Sequence, residues 1–206
     1  MKSKRKLAND EFLIIKKRCR YEDKIKSSKF IATAMPVDSE ESADNFISEI
    51  KKEFHDATHN CTAWRIGSLS KPFFRFNDDG EPSGTAGKPI LKAIESNELI
   101  NICIVVTRYY GGTKLGTGGL MRAYGDTADK ALKAGEIEKK HKTQNLTFTV
   151  SFDFTNVIHN IASNFKAKIK DTKYGDDVTF DIEIRGSKFS SFKDKLIEAT
   201  NGQVKF

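Results

Sequence analysis

The feature that most constrains the fold of this chain is an apolar run followed at once by a cluster of glycines. Residues 100–107 are apolar on both faces apart from Asn101, a pattern typical of a strand in the middle of a sheet. Five of the nine residues 111–119 are glycine, and Leu120, Tyr124 and Ala128 then recur at helical spacing. The sequence therefore predicts a central strand, a tight glycine-rich turn and an amphipathic helix that ends near Gly135.

The segments before this run predict a mixed α/β domain. A capping signal at residues 38–41 precedes apolar residues at helical spacing as far as Phe54. Strand patterns occupy residues 29–37, 61–66 and 73–76, and a short helix is expected from about residue 87. These elements and the central strand belong to one predicted domain, residues 22–135.

The last part of the chain predicts a second domain. Alternating apolar residues at 146–154 indicate a strand, and helical spacing follows at 158–165. Two strands at 167–174 and 178–184, a helix at 189–197 and a final strand at 203–206 complete the order β-α-β-β-α-β, which is the ferredoxin-like unit. The fold class is thus α/β (α+β) with two domains, residues 22–135 and 145–206, joined by a polar linker at 136–144.

The positive charge of the chain is concentrated at its amino terminus. The chain has 35 Lys and Arg residues and 28 Asp and Glu residues. Residues 1–30 contain 11 of the basic and 4 of the acidic residues, so the rest of the chain contains 24 of each sign. We interpret residues 1–21 as a basic arm, which either favours polyanions such as nucleic acid or is a solvated tail. The longest apolar run is far too short to span a bilayer, and no secretory signal is evident, so we expect a cytoplasmic protein without membrane contact.

The glycine-rich segment is the first candidate site. Backbone N–H groups that glycines leave accessible, together with the start of a helix, can converge on an anion, and Arg108 and Lys114 would add positive charge. Tyr109 and Tyr110 could stack on unpaired bases. Tight packing between strand and helix would explain the glycines equally well. The predicted anion-binding or nucleic-acid-binding residues are Arg75, Arg108, Tyr109, Tyr110, Gly111, Gly112, Lys114, Gly116, Gly118, Gly119 and Arg122.

Two further clusters offer alternative chemistry. Asp78, Asp79 and Glu81 could hold Mg²⁺ for phosphoryl transfer or hydrolysis, although such residues more often cap turns. His55 and His59 would share one face of a continuous helix, as zinc ligands do, but no further ligands follow at suitable spacing. Capping or packing explains these histidines better, so we expect no metal or other cofactor, and the sequence identifies no catalytic residue.

Several motifs of this chain match those of a known family. They are Gly87-Lys88-Pro89-Ile90-Leu91, Ile94, Leu99, Val105-Val106-Thr107-Arg108-Tyr109-Tyr110-Gly111-Gly112, Leu115-Gly116, residues 78–87 and His59-Asn60-Cys61. Taken together, these segments resemble the IMPACT/YigZ family, in its bacterial branch. The resemblance implies a first domain similar to the second domain of small-subunit ribosomal protein five and a second similar to the last domain of elongation factor G. It also implies nucleic-acid binding and, through the eukaryotic members, a link to the regulation of translation initiation.

We therefore expect a nucleic-acid-binding (RNA-binding) or ribosome-associated protein that is linked to the regulation of translation. Its expected partners are nucleic acid or the ribosome and a protein of the translation apparatus. A Mg²⁺-dependent phosphoryl-transfer or hydrolytic enzyme and a protein-interaction module are the alternatives.

Overall fold

The computed structural model describes residues 10–68 and 70–206, which divide into two compact units. One unit is Phe12–Lys140, and the other is His141–Phe206 together with Asp10 and Glu11. Each unit has its own hydrophobic core. Within these described residues, no helix has the length and apolarity needed to cross a membrane.

The first unit is built on a five-stranded antiparallel sheet. The strands follow the order β2-β3-β6-β4-β5, so the strand predicted from the apolar run, β6, is central. In chain order, residues 11–141 form β1 (Glu11–Ile15), β2 (Cys19–Ile25), β3 (Ser28–Pro36), α1 (Glu40–Glu53), β4 (His59–Ser68), β5 (Lys71–Asn77), α2 (Gly87–Ser96), β6 (Ile102–Tyr109), α3 (Gly116–Ala134) and β7 (Ile137–His141).

Helices cover both faces of this sheet, which explains why β6 is apolar without alternation. Ile104 and Val106 belong to the core that includes residues of α2 and α3, whereas Cys103 and Val105 pack with residues of α1. Successive side chains of a strand point to opposite faces. A strand covered on both sides is therefore apolar at successive positions, as β6 is from Ile102 to Val106.

The structure differs from the expected arm and linker. Residues 137–141 of the expected linker are strand β7, which pairs with β1, and residues 11–15 and 19–21 of the expected arm lie in β1 and β2. Residues 1–9 lie outside the described residues. The N–H of Lys16 donates to the carbonyl of Glu136 over 2.8 Å. Backbone pairing of this kind does not require apolar side chains. The polar segment of β7 therefore has no hydrophobic pattern from which a strand could be predicted.

The second unit confirms the ferredoxin-like fold. Its elements are β8 (Thr143–Val150), α4 (Thr155–Phe165), β9 (Lys168–Tyr174), β10 (Val178–Arg185) and α5 (Phe189–Ala199). The antiparallel sheet has the order β8-β10-β9. In place of the expected last strand there is a single β-bridge on the free edge of β8. Thr149 and Lys205 exchange backbone hydrogen bonds of 2.8 and 2.9 Å in this bridge.

The central position of β6 predicts that substitutions in this strand reduce stability more than the same substitution at the surface. Ile104 is 0% exposed, whereas Ile137 of β7 is 47% exposed. We expect Ile104→Ala to lower the free energy of unfolding of the first unit by about 2–5 kcal/mol, because it leaves a cavity in the core. Ile137→Ala, the same change at the surface, should lower it by less than about 1 kcal/mol.

Urea unfolding followed by the fluorescence of Trp64, the single tryptophan of the chain, measures both changes within this unit. Equal losses for the two variants would contradict the assignment of β6 to the core.

Candidate functional site

A cavity of about 280 Å³ lies where the chain leaves β6 and enters α3. Part of the predicted glycine-rich segment lines this cavity. Two charged residues of its wall, Glu81 and Arg108, are buried. The residues that line it are Glu81, Pro82, Arg108, Tyr110, Lys114, Leu115, Gly116, Thr117 and Leu120.

Strand register places Arg108, a residue of this wall, beside one residue of each neighbouring strand. Arg108 of β6 lies opposite Phe30 of β3 on one side and opposite His59 of β4 on the other. Residues directly opposite each other in antiparallel strands share a face. The three side chains therefore form a row across the sheet, on the face that α2 and α3 cover.

The wall contains a buried ion pair. Nη1 of Arg108 donates to Oε1 of Glu81 over 2.6 Å, and the two side chains are only 6% and 3% exposed. The hydroxyl of Tyr124 donates to the same oxygen over 2.8 Å, and Nη2 of Arg108 donates to the hydroxyl of Ser28 over 3.2 Å. A buried charge is tolerated only when it is paired and hydrogen-bonded, and each of these two charges meets that condition through the other.

Two polar atoms of the pair have no partner within the described part of the chain. Nε of Arg108 is buried without an acceptor, and Oε2 of Glu81 receives no hydrogen bond from residues 10–68 or 70–206. The guanidinium lies between two rings, with its carbon 5.4 Å from the centre of Phe30 and 5.2 Å from that of Tyr110. Tyr110 is 44% exposed, so its ring forms an accessible side of the cavity.

Burial determines the protonation state of Tyr124, the second side chain that donates to Glu81. Burial, reinforced by Cys61 and the charge of Glu81, raises the pKa of Tyr124 well above its usual value. Tyr124 therefore keeps its proton at physiological pH and acts as a hydrogen-bond donor to Glu81.

The glycines of the segment have structural roles that can be stated individually. A Cβ on Gly111 would lie 1.8 Å from the carbonyl oxygen of Ser27, so only glycine fits there. Gly112 and Gly116 have φ of +85° and +70°, the left-handed region that favours glycine. The N–H groups of Tyr110 and Gly111 donate to hydroxyls of the protein, over 3.0 and 3.4 Å, so they are not available to a ligand.

The start of α3 has no side-chain cap. Leu115 occupies the N-cap position and cannot accept hydrogen bonds through its side chain. The first N–H groups of a helix have no partner within the helix and carry a partial positive charge. Gly118 lies in this first turn, so the predicted backbone donors are those of residues 116–118 rather than of the whole glycine cluster. The N–H of Gly119 forms the first bond of the helix, to the carbonyl of Leu115.

Exposed cations lie at the start of α3 and along the groove between α2 and α3. Within the described part of the chain, Lys88, Lys92, Lys114 and Arg122 form no hydrogen bond or ion pair, and we call these four residues the basic face. Lys114 lines the cavity. Lys88, Lys92 and Arg122 line a neighbouring groove of about 610 Å³ between α2 and α3. A Cβ on Gly118 would lie 3.8 Å from Nη1 of Arg122, so this guanidinium reaches the first turn of α3.

Two of the predicted binding residues lie elsewhere. Arg75 of β5 packs on the ring of Trp64 and pairs with Glu40 of α1 over 3.4 Å, so it belongs to the α1 side of the sheet. The hydroxyl of Tyr109 donates to Asp56 over 2.7 Å, and this bond raises the pKa of Tyr109. Neither residue lines the cavity.

The loop acids hold the backbone of their own loop. Both oxygens of Asp78 accept backbone N–H bonds, from Gly84, Ala86 and Gly87, over 2.8 to 3.0 Å. Asp79 accepts the N–H of Asn60 over 2.6 Å and pairs with Lys51 over 2.7 Å. Together with the burial of Glu81 against Arg108, these bonds separate the three carboxylates that would have to converge on Mg²⁺. Within residues 10–68 and 70–206, no three His, Cys, Asp or Glu side chains are grouped as a metal site requires.

The two histidines do not form a helical pair. Helix α1 ends at Glu53, so His55 lies in the turn after it and is exposed, while His59 begins β4. Nδ1 of His59 lies 2.7 Å from the carbonyl oxygen of Asp79, and Nε2 lies 3.8 Å from Oε1 of Glu81. His59 thus supports the loop that carries Glu81, whereas His55 takes no part.

Sequence reasoning missed several residues of the site. Tyr124 was assigned only to the apolar face of α3, Ser28 had no signal, and Lys88 and Lys92 were read as part of a short helix. The helical spacing of Lys88, Lys92 and Ser96 could have indicated one exposed basic side of α2, because residues four apart share a helix face.

The fold and cavity define a two-unit α+β protein in which an uncapped helix start lies at a small cavity with a buried ion pair in its wall. The model of the Impact N-terminal domain matches residues 26–132, and that of a domain of unknown function (DUF1949) matches residues 148–203. The chain therefore belongs to the IMPACT family.

Relatives in this family match over almost the whole chain. IMPACT family member YvyE of Bacillus subtilis is 34% identical over 192 residues, which cover 93% of this chain and 88% of that protein. YigZ of Escherichia coli is 33% identical and covers 88% of this chain and 90% of its own length. A crystal structure of a hypothetical protein superposes with a TM-score of 0.70 at 32% identity, over 95% of this chain and 96% of that one. The two-domain translational regulator Yih1 is 26% identical over 60% of this chain and 47% of its own, with a TM-score of 0.37.

The bonds to Asp78 make a prediction about pH. Burial alone would raise the pKa of Asp78, but the N–H donors of Gly84, Gly87 and Ala86 outweigh it and lower this pKa below its usual value of 3.8. A carboxyl whose pKa is lower in the folded state contributes stability above its unfolded pKa and loses it as the pH falls through its folded pKa.

We therefore expect Asp78→Asn to lower the free energy of unfolding by roughly 1–3 kcal/mol at pH 7. The difference from wild type should shrink progressively below about pH 4, because the Asp78 carboxyl becomes protonated first in the unfolded state and, at still lower pH, in the folded state as well. Urea unfolding of both proteins at pH 7, 5 and 3 measures this difference, and an unchanged gap at pH 3 would speak against the role of the charged carboxylate.

Proposed function

We propose that this protein binds RNA, free or in the ribosome, through the basic face and the start of α3. The observation that carries the proposal is a set of four exposed cations without ion-pair partners in the described structure, along the cavity and the groove beside α3, whose start is uncapped. These cations are Lys88, Lys92, Lys114 and Arg122. Phosphate contacts supply most of the affinity of sequence-independent nucleic-acid binding.

The balance of charge at this surface favours an anion. Glu81 is compensated by Arg108 within the wall of the cavity, and Asp129 is bound by Lys133 and by the amide of Asn97. Asp126 is the remaining acid of the groove between α2 and α3. Four cations and the partial positive charge of the helix start therefore face one carboxylate that is not already paired.

The exposed ring of Tyr110 adds a surface on which a base can stack. Aromatic rings beside a positively charged groove are the usual platform for single-stranded nucleic acid, because every base has a π-face. The guanidinium of Arg108 supports this ring from the side of the protein.

The proposed RNA is one of the translation apparatus. The family resemblance carries this part of the proposal, since eukaryotic members of the family regulate translation initiation. Yih1 is described as a translational regulator, and we extend a role in translation to this chain as part of this proposal. The internal bonds of Asp78 and Asp79 favour binding over Mg²⁺-dependent catalysis as the use of this surface.

Binding through the basic face predicts a specific pattern of mutant affinities. Lys114→Ala and Arg122→Ala should each weaken the binding of single-stranded RNA by roughly fivefold, because each removes a contact to phosphate. Each should also reduce the slope of log affinity against log salt by about 1, irrespective of RNA sequence. Fluorescence anisotropy with a labelled oligonucleotide at several salt concentrations provides both values.

Lys52→Ala is the matched control. Lys52 is an exposed lysine of α1, which covers the opposite face of the sheet from α2 and α3. Its removal should leave affinity and salt slope as in the wild type. Equal effects of Lys52→Ala and Lys114→Ala would show that net charge alone attracts the RNA, and the basic face would lose its assigned role.

A further inference from the structure

We infer that the cavity at the start of α3 holds one ribonucleotide of the bound RNA, with its 2′-hydroxyl donating a hydrogen bond to Oε2 of Glu81. This inference rests on the proposed function and names the chemical feature that the site would recognise. It concerns the cavity alone, whereas the basic face would serve the phosphates of any strand.

The cavity is lined by groups of two different kinds. Glu81 has a carboxylate whose Oε1 is saturated by Arg108 and Tyr124 and whose Oε2 accepts no hydrogen bond from described residues. Lys114 and the first turn of α3, with its uncapped amides, also line the cavity. A ligand that satisfies both kinds of group must carry a hydrogen-bond donor and an anion.

The ligand group that donates to Glu81 must be neutral. Arg108 already compensates the charge of Glu81 over 2.6 Å, so a second cation would meet an uncompensated positive charge in a buried setting. An anion would be repelled by the carboxylate. A hydroxyl group meets the requirement, because it donates one hydrogen bond without adding charge.

A ribonucleotide combines these two groups in one compact unit. Its phosphate suits Lys114 and the helix start, and its ribose offers the 2′-hydroxyl as donor. Carboxylates bind ribose hydroxyls in the same way in dinucleotide-binding proteins. Deoxyribose lacks this donor, so the cavity would distinguish RNA from DNA.

The size of the cavity agrees with a single unit. About 280 Å³ lies just below the range of roughly 300–1,000 Å³ that is usual for small-molecule sites. The exposed ring of Tyr110 lies at the same cavity, where the base of that unit can stack on it. Arg108 acts here as a positioning residue, since it holds Oε1 of Glu81 and so leaves Oε2 for the ligand.

The test varies the ligand and keeps the protein intact. The affinity of the wild-type protein is measured by fluorescence anisotropy for ten-nucleotide strands of one sequence, made as RNA and as uniformly 2′-fluoro RNA. The fluoro strand keeps the sugar geometry of RNA but has no 2′ donor. A hydrogen bond to a charged acceptor predicts roughly tenfold tighter binding of RNA. The 2′-deoxy strand should resemble the fluoro strand.

A variant assigns any such preference to the cavity. Thr117 is exposed in the first turn of α3 and lines the cavity, so Thr117→Tyr should fill the space and leave the fold intact. In this variant the preference for RNA over 2′-fluoro RNA should fall to about onefold, while salt-dependent binding through Lys88, Lys92 and Arg122, which line the neighbouring groove, persists. Ser48→Tyr, an exposed change on α1, should keep the preference.

The outcomes separate the inference from the proposed function. Equal affinity of wild type for RNA and 2′-fluoro RNA, with Lys114→Ala still weakening both, overturns the inference and leaves RNA binding in place. A preference that survives in Thr117→Tyr overturns it as well, since the hydroxyl is then read elsewhere. If no salt-dependent binding of RNA occurs at all, the proposed function fails and the inference fails with it.

Discussion

The buried ion pair between Arg108 and Glu81 is the interaction on which the rest of the site depends. It joins the end of the central strand to the loop before α2, and through Tyr124 and Ser28 it also engages α3 and the start of β3. Loss of one partner of such a pair would leave a buried charge without compensation, at a cost of about 3–5 kcal/mol. The pair therefore keeps the loop, the strand and the helix in one arrangement, and the cavity is the space that this arrangement leaves open.

The glycine-rich segment serves this arrangement by geometry more than by its amides. Gly111 allows the chain to pass the backbone of Ser27 at a distance that no side chain permits, and Gly116 turns the chain into α3 with a positive φ. The two readings that the sequence left open, tight packing and anion binding, are thus compatible. Packing explains residues 111–112, whereas the N–H groups of residues 116–118 have no partner within the helix.

Local patterns predicted most of the fold. The apolar run at 100–107, the helical spacing after Leu120 and the alternating order of elements in 145–206 all correspond to observed elements. The failures were segments whose structure depends on distant partners. Strand β7 is polar and is held by backbone pairing with β1, and the final strand is reduced to one bridge at Lys205. Side-chain patterns carry little information about such pairing, because the backbone groups that form it are the same in every residue.

The sequence by itself determined the fold class, the two units and the family, because hydrophobic periodicity, glycine placement and motifs are local properties of the chain. It also indicated the candidate site between β6 and α3. Only the tertiary structure decided which charges of that site are free. Arg108, Asp78 and Asp79 look like ligand-binding groups in the sequence, but folding brings Glu81 and backbone N–H groups against them. Lys114 and Arg122 meet no such partner within the described structure and remain exposed. The physical reason is that the cost of burying a charge depends on what surrounds it in space, and neighbours in space are not neighbours in sequence.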